Sequence, residues 1–393
     1  MVALGIDIGT SAVRVAVFRD GEPELVQFPD GAHNAPAVVA MGGDSIRVGR
    51  VALGRAATHP AQTVRGIKRL LGRTKDDPVV ERIGATTAFG IEADDEGKLV
   101  LQLKGEPTEP EEVAAALLRY LVEVVEQRTG DRASQAVLTT PYWYGPSQRK
   151  ALSEAARRAG LATLQVLSEA TATALSLLTA EAGTRTIAIV DVGAGGCTAS
   201  VLEVGPGKVQ LAGSAGDPLG AGEDVDRGLV RAVVKGLKQS LGDFPSNPAV
   251  DEMLRQTCEG AKKDLPKMSS VTAVIPFLPV GTGLYNQQIL IERDSFHLLL
   301  ADTEKRVEAA CRNALTEAGV EPGELHAVYA TGGMMRLPSL QTRVEIVLGP
   351  IDSRKIDPDG AVALGAAYQA GMLAGAVDSI PVLDVQTATS LPP

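Results

Sequence analysis

The chain has 393 residues, 45% apolar but only 3% aromatic, and 38 Lys+Arg against 48 Asp+Glu give a net charge of −10. That length and apolar content suit two or three domains with aliphatic cores. The acidic balance disfavours nucleic acid or an anionic membrane surface as the main partner, since both call for concentrated Lys and Arg.

Cys197, Cys258 and Cys311 are too widely spaced for a zinc site or a disulfide framework, and the start MVALGIDIG opens a strand pattern at once rather than a leader. No apolar run reaches the roughly 18 residues of a membrane span, so a cytoplasmic, reduced protein is expected.

In chain order, Leu4 to Phe18 predicts two strands around a tight turn, and Ala37 to Val48 has further strand character. Val51 to Gly72 predicts a helix around Arg65-Gly66-Ile67-Lys68-Arg69. Between Glu111 and Gln127 the apolar positions Val113, Leu117, Leu118, Leu121, Val124 and Val125 follow helical spacing, with Pro110 suited to the helix start. A strand over Ala136 to Thr139, a turn with Pro141 and Pro146, and a helix from Ser147 to Ala159 ended by Gly160 follow.

The second half repeats the order. Strand, turn and strand return between Thr186 and Val204, then a helix over Asp302 to Ala318, a strand over Ala327 to Ala330, the turn Gly332-Gly333 and a helix from Arg336. Asp7 and Asp191 lie 184 positions apart, Ala136 and Ala327 lie 191 apart. Nearly equal offsets imply a duplicated α/β unit and two similar lobes facing each other. We expect lobe I over 1–182 with an insertion near 37–110, lobe II over 183–376 with an insertion near 221–297, and a linker or tail over 377–393. The tail has an apolar patch from Ile380 to Leu383, then Asp384, and no periodicity.

Asp-x-Gly at a hairpin tip occurs twice, as Asp7-Ile8-Gly9-Thr10-Ser11 and Asp191-Val192-Gly193-Ala194-Gly195-Gly196. Glycine lets backbone N–H groups approach phosphate oxygens, and the Asp can hold a hydrated Mg²⁺. One such turn is common in hairpins without a ligand, but two at duplicate positions would clamp one polyphosphate from both sides. A third turn, Gly332-Gly333 with Arg336, sits between a strand and a helix start, where nucleotides approach helix N-termini and where glycine also serves plain sterics. Asp359 precedes the Ala-Gly-rich stretch Ala361 to Leu373 and reads first as its helix cap, second as nucleotide support.

LGIDIGTSAVRVAVF, Thr63 to Gly72, Pro141 to Gly160, Leu167 to Ala172, Gly222-Glu223-Asp224-Val225-Asp226 and Gly332 to Pro338 together resemble the ATPase domain of DnaK-type chaperones, the heat-shock protein 70 family. The resemblance runs from Val2 to about Val385 and implies the duplicated two-lobed fold of the actin and sugar-kinase superfamily, with ATP/ADP and Mg²⁺ in the cleft. By position it implies Mg²⁺-shell carboxylates at Asp7 and Asp191, phosphate loops at Gly9, Thr10 and Ser11 and at Gly193, Ala194 and Gly195, the γ-phosphate lysine at Lys68, and the water- and Mg²⁺-associated glutamate at Glu169. It also implies nucleotide contacts at Gly222, Glu223, Gly332, Gly333, Arg336 and Asp359, adenosine contacts at Glu259 and Lys262, a relay to the linker through Pro141 and Arg149, and a docking linker, Val382-Leu383-Asp384-Val385. Without the resemblance Lys68 would read as a solvated helix charge and Glu169 as a helix N-terminal carboxylate.

Departures from the family pattern bear on activity. Gly196 stands where the family has a threonine, and Thr198 where it has a catalytic carboxylate, while Cys197 reads as core. Binding should survive, since backbone amides, lysine and metal make most phosphate contacts, and hydrolysis should be slow or lost. Pro266, Lys263 and Met334 alter the expected base pocket. Ala12 and Ala221 change the loops, and Gln165 and Ser168 replace residues used for J-domain cochaperones. The implied partners are a peptide-binding domain, a nucleotide-exchange factor and a J-domain cochaperone, with the chain itself a monomer. The alternatives are a protein-interaction module with vestigial nucleotide binding, and a small-molecule kinase, which would need a base aimed at a substrate hydroxyl.

Overall fold

The computed structural model describes residues 2–42, 45–178, 183–242, 244, 247–280, 282–354 and 356–384. Each lobe is built on a mixed sheet, and the two sheets share one plan. In the first, the strands run Ala162–Ser168, Ala133–Thr140, Val2–Ile8, Ala12–Arg19, Glu22–Leu25. In the second they run Ala327–Thr331, Arg185–Val192, Cys197–Gly205, Lys208–Asp217, Val382–Leu383.

Val2–Ile8 is parallel to Ala133–Thr140 and antiparallel to Ala12–Arg19; Arg185–Val192 has the same relation to Ala327–Thr331 and Cys197–Gly205. The duplication expected from the offsets is therefore present, and its register places Asp7 opposite Arg14 and Asp191 opposite Thr198.

The helix Pro110–Thr129 buries Val113, Leu117, Leu118, Leu121 and Val125 in the first core, and Ala301–Ala318 buries Val307, Cys311 and Ala314 in the second. All three cysteines are buried and free. Between the lobes, the helices Glu169–Ser176 and Ala361–Leu373 cross at glycine contact distance. A Cβ on Gly365 would lie 1.6 Å from the Ala172 carbonyl oxygen, and one on Gly5 would lie 2.0 Å from the Ala367 nitrogen. Only glycine allows that approach. Among the described residues no helix is long and apolar enough to cross a membrane.

The stretch Val51 to Gly72 is not one helix. It comprises a short helix Arg50–Arg55, a 3₁₀ turn Pro60–Gln62, a strand Thr63–Arg65 and a second 3₁₀ turn Ile67–Arg69. Pro60 lacks the amide a continuing helix needs, Gly66 sits at φ 59° in the left-handed region, and Thr63 to Arg65 spend their backbone on pairing with Val38 to Ala40. Helical spacing lost here to the sheet of the first insertion. The second insertion holds the helices Gly222–Leu241 and Pro248–Asp264 and the hairpin Ser270–Val280 with Gly283–Glu292.

Candidate functional site

The two Asp-x-Gly turns face each other across one cavity of about 970 Å³, the size of a small-ligand site. Asp7, Gly9, Thr10, Ser11, Lys68, Glu169, Asp191, Gly193, Ala194, Gly195 and Thr198 line it. So do Pro141, Gly222, Glu223, Glu259, Lys262, Gly332, Gly333, Arg336 and Asp359. Arg149 and Asp384 lie outside it. Residues from nine separate stretches of sequence are thus gathered around the two turns.

The turns are tight enough to exclude side chains. A Cβ on Gly9 would lie 2.4 Å from the Ala12 carbonyl oxygen, and one on Gly195 would lie 2.3 Å from Thr10 Oγ1. The Gly193 amide donates to the Gly196 carbonyl at 3.0 Å, while the Gly222 and Glu223 amides donate to the Gly193 and Ala194 carbonyls at 3.1 and 2.9 Å. The start of the helix Gly222–Leu241 therefore braces the second turn instead of offering free amides. Trp143 packs against the same turn, its ring edge against Gly196 and Gly216.

Lys68, in the turn after Gly66, donates to Glu169, the first residue of a helix capped by Ser168, whose hydroxyl accepts from the Thr171 amide at 3.2 Å. Burial works against the Lys68 ammonium, but Glu169 and Asp7 outweigh it and hold the amine charged. Burial, with Asp191 and Asp7 nearby, pushes Glu169 up to about 7 despite Lys68. Asp191 is likewise raised by burial, and its Oδ2 accepts from Thr331 Oγ1 at 2.7 Å. Among the described residues no three His, Cys, Asp or Glu groups converge to hold a metal directly. The hard oxygen donors Asp7 and Asp191 suit a cation held through water.

A family model described as Hsp70 protein matches residues 3–391. The chain belongs to the Hsp70 family. Family membership makes it a chaperone-type ATP-binding domain, and the two-lobed actin-like fold expected from the resemblance holds.

Within this Hsp70 cleft, several implied contact residues are already engaged. Glu223 pairs with Arg69 at 2.5 Å, Lys262 donates to Asp226 at 2.7 Å and to the Gly222 carbonyl at 3.1 Å, and Glu259 binds Arg255 at 3.0 Å and Lys263 at 2.7 Å. Asp359 is not the cap of the following helix, whose N-cap is Gly360 without a side-chain bond. Its carboxylate is drawn instead to Arg14 at 3.2 Å and to Arg336.

On the far side, Pro141 accepts from the Tyr144 amide at 3.2 Å, the Tyr144 hydroxyl donates to the Lys68 carbonyl, and Arg149 donates to the Tyr144 and Val166 carbonyls at 3.1 and 3.2 Å. In the tail, expected to be a linker without periodicity, Val382 and Leu383 form a short strand that pairs in parallel with Val209 and Gln210. Asp384 accepts from the Ser168 amide at 2.7 Å, the Ser168 hydroxyl at 2.6 Å and the Thr171 hydroxyl at 2.7 Å, and its charge is felt by Arg149. Val385 and the rest of the tail lie outside the described residues.

The sequence reading missed several cleft residues. Arg14, Arg69, Trp143 and Tyr144 all line the cavity. The hairpin register was the available signal for Arg14, because the four residues Gly9 to Ala12 between the paired Ile8 and Val13 put it directly across from Asp7.

Proposed function

We propose that this Hsp70-family chain is a Mg²⁺-nucleotide-dependent conformational switch with slow ATP hydrolysis. The reading is carried by two phosphate-type turns facing one cavity with the Lys68–Glu169 pair between them. In this proposal Gly9, Thr10, Ser11, Gly193, Ala194 and Gly195 hold the phosphates, with Gly332, Gly333, Arg336, Glu259 and Lys262 towards the nucleoside. Asp7 and Asp191 order the water shell of Mg²⁺, which when bound supplies charge neutralisation at the phosphates. Lys68 holds a phosphate oxygen, and Glu169 orients the attacking water and accepts its proton. Thr198 offers a neutral hydroxyl where the family pattern has a carboxylate, so water positioning loses one charged acceptor.

Output runs to the linker. Tyr144 joins the Lys68 backbone to Pro141 and Arg149, and Arg149 reaches the strand that ends beside the Asp384 clasp, so a shift at the phosphates moves the helix Glu169–Ser176 at both its catalytic and linker contacts. Partners on this reading are a peptide-binding domain beyond the linker, a nucleotide-exchange factor and a J-domain cochaperone in the cytoplasm, the chain itself being a monomer. A second reading, a protein-interaction module with vestigial nucleotide binding, is favoured by the prior pairing of Glu223, Glu259 and Lys262.

ADP and ATP titration by calorimetry, followed by single-turnover hydrolysis on the same sample, separates the two. The switch requires saturable binding with slow turnover. Absence of binding in millimolar Mg²⁺ leaves the interaction module.

A further inference from the structure

Arg14 is a cleft cation that the proposed mechanism does not use. Its flanking residues Val13 and Val15 point into the core, which sends Arg14 to the opposite face, the face on which Ala16 packs against Ala363 and Ala367. The guanidinium comes up at the mouth of the first phosphate turn, 3.5 Å from Asp7 Oδ2 and 3.2 Å from Asp359 Oδ1, with only 17% of the side chain exposed. Its charge also reaches Asp191. The charged groups around it are Asp7 on its partner strand, Asp191 across the cleft, Lys68 and Glu169 paired with each other, and Asp359 with Arg336.

The duplicated register gives this position its meaning. Arg14 stands across from Asp7 as Thr198 stands across from Asp191, so neither aspartate faces a second carboxylate. A divalent cation in this cleft meets two aspartates, one of them already neutralised by a fixed guanidinium. A polyphosphate meets Lys68, Arg14 and the turn amides even without metal.

We propose that Arg14 is a resident counter-ion that makes the affinity of this cleft for nucleotide only weakly dependent on Mg²⁺, the metal still serving the switch and hydrolysis. The inference rests on the nucleotide-binding reading above and specifies the metal requirement of that same site. Even with water-like screening, a divalent ion and a fixed guanidinium a few ångström apart repel by about a factor of ten in affinity, and the guanidinium attracts a phosphate by a similar factor.

The test is ADP binding, followed by calorimetry and by fluorescence of the single tryptophan Trp143 in the cavity wall, in millimolar Mg²⁺ and in EDTA. The wild-type Kd should differ by no more than about threefold between the two conditions, while Arg14→Met should lose about tenfold in EDTA and lose nothing in Mg²⁺. Arg14→Lys, which keeps the charge, should retain the small wild-type ratio. A wild-type ratio above about a hundredfold overturns the proposal without any variant. So does an unchanged ratio in an Arg14→Met protein that melts as the wild type does. Failure of the wild type to bind ADP in Mg²⁺ as well as in EDTA refutes nucleotide binding itself, and is thereby told apart from failure of the counter-ion.

Discussion

Gly196 occupies the position where the family pattern has a threonine, and restoring that residue should harm this protein. A Cβ at position 196 would lie 2.7 Å from the Asp217 carbonyl oxygen and 2.7 and 2.8 Å from Trp143 Cη2 and Cζ2, closer than real Cβ atoms come. Removing a glycine lowers unfolded-state entropy and would contribute about 0.4–1 kcal/mol in favour of folding. The clash runs the other way, and one of its two partners is backbone on the neighbouring strand Lys208–Asp217, which cannot swing aside. Overpacking of this kind costs about 1–3 kcal/mol, so the clash wins.

The net cost of about 1–2 kcal/mol means Gly196→Thr should lower the melting temperature by roughly 2–8 °C for a lobe-sized unit. Trp143→Ala introduced with it should recover part of the loss but not all, because the Asp217 contact remains. Differential scanning calorimetry decides the matter. If Gly196→Thr melts with the wild type, the indole and the Asp217 carbonyl do not confine this turn, and the loss of the threonine has another cause.

Thr198→Asp should raise the single-turnover rate of ATP hydrolysis in Mg²⁺ while lowering stability without ligand, since it adds a carboxylate at a buried position across from Asp191; an unchanged rate means that position 198 does not limit turnover. Arg65 of the first insertion pairs with Glu252 of the second, both partly buried. Arg65→Ala should therefore speed release of a fluorescent ADP by up to about fivefold in stopped flow, the upper end of the range for one such ion pair.

Burial alone would raise Glu259, but Arg255 and Lys263 outweigh it and pull the carboxyl down to about 2 from an ordinary 4.5, with Glu252 depressed by the same arginine. Their contribution is present above the ordinary value and lost as pH falls from about 4.5 towards 2. The stability gap between wild type and Arg255→Met should shrink over that window in acid melts. Asp384→Ala removes three hydrogen bonds that clasp the tail, so exchange of the Val209 amide, which donates to the Pro381 carbonyl at 3.0 Å, should rise by about tenfold or more.

What was legible in the sequence was what local pattern encodes. The paired hairpins, the amphipathic helices and the duplication all follow from alternation, helical spacing and offset, and the residues of both glycine turns do line one cavity. The errors have a common origin in long-range pairing. Val51 to Gly72 carries helical spacing yet is claimed by a strand partner two dozen residues away, and Val382-Leu383 has no pattern of its own yet gains one from the edge at Val209. Asp359 sits where a cap belongs, but two arginines from distant segments take its carboxylate.

The same limit explains why Thr198 drew notice and Arg14 did not. Position 198 stands out by comparison with a family motif, whereas position 14 acquires its role only once the sheet is registered. The 184-residue offset that equates Asp7 with Asp191 also equates Arg14 with Thr198. Applied to the strand partners as well as to the aspartates, it makes the two departures one electrostatic change. Facing one aspartate is a cation and facing the other a neutral hydroxyl, so this cleft presents its phosphate turns with less negative charge than its motif residues alone suggest. A metal-light, slowly hydrolysing nucleotide site follows from that balance, and altering either position alone should shift metal demand and turnover separately.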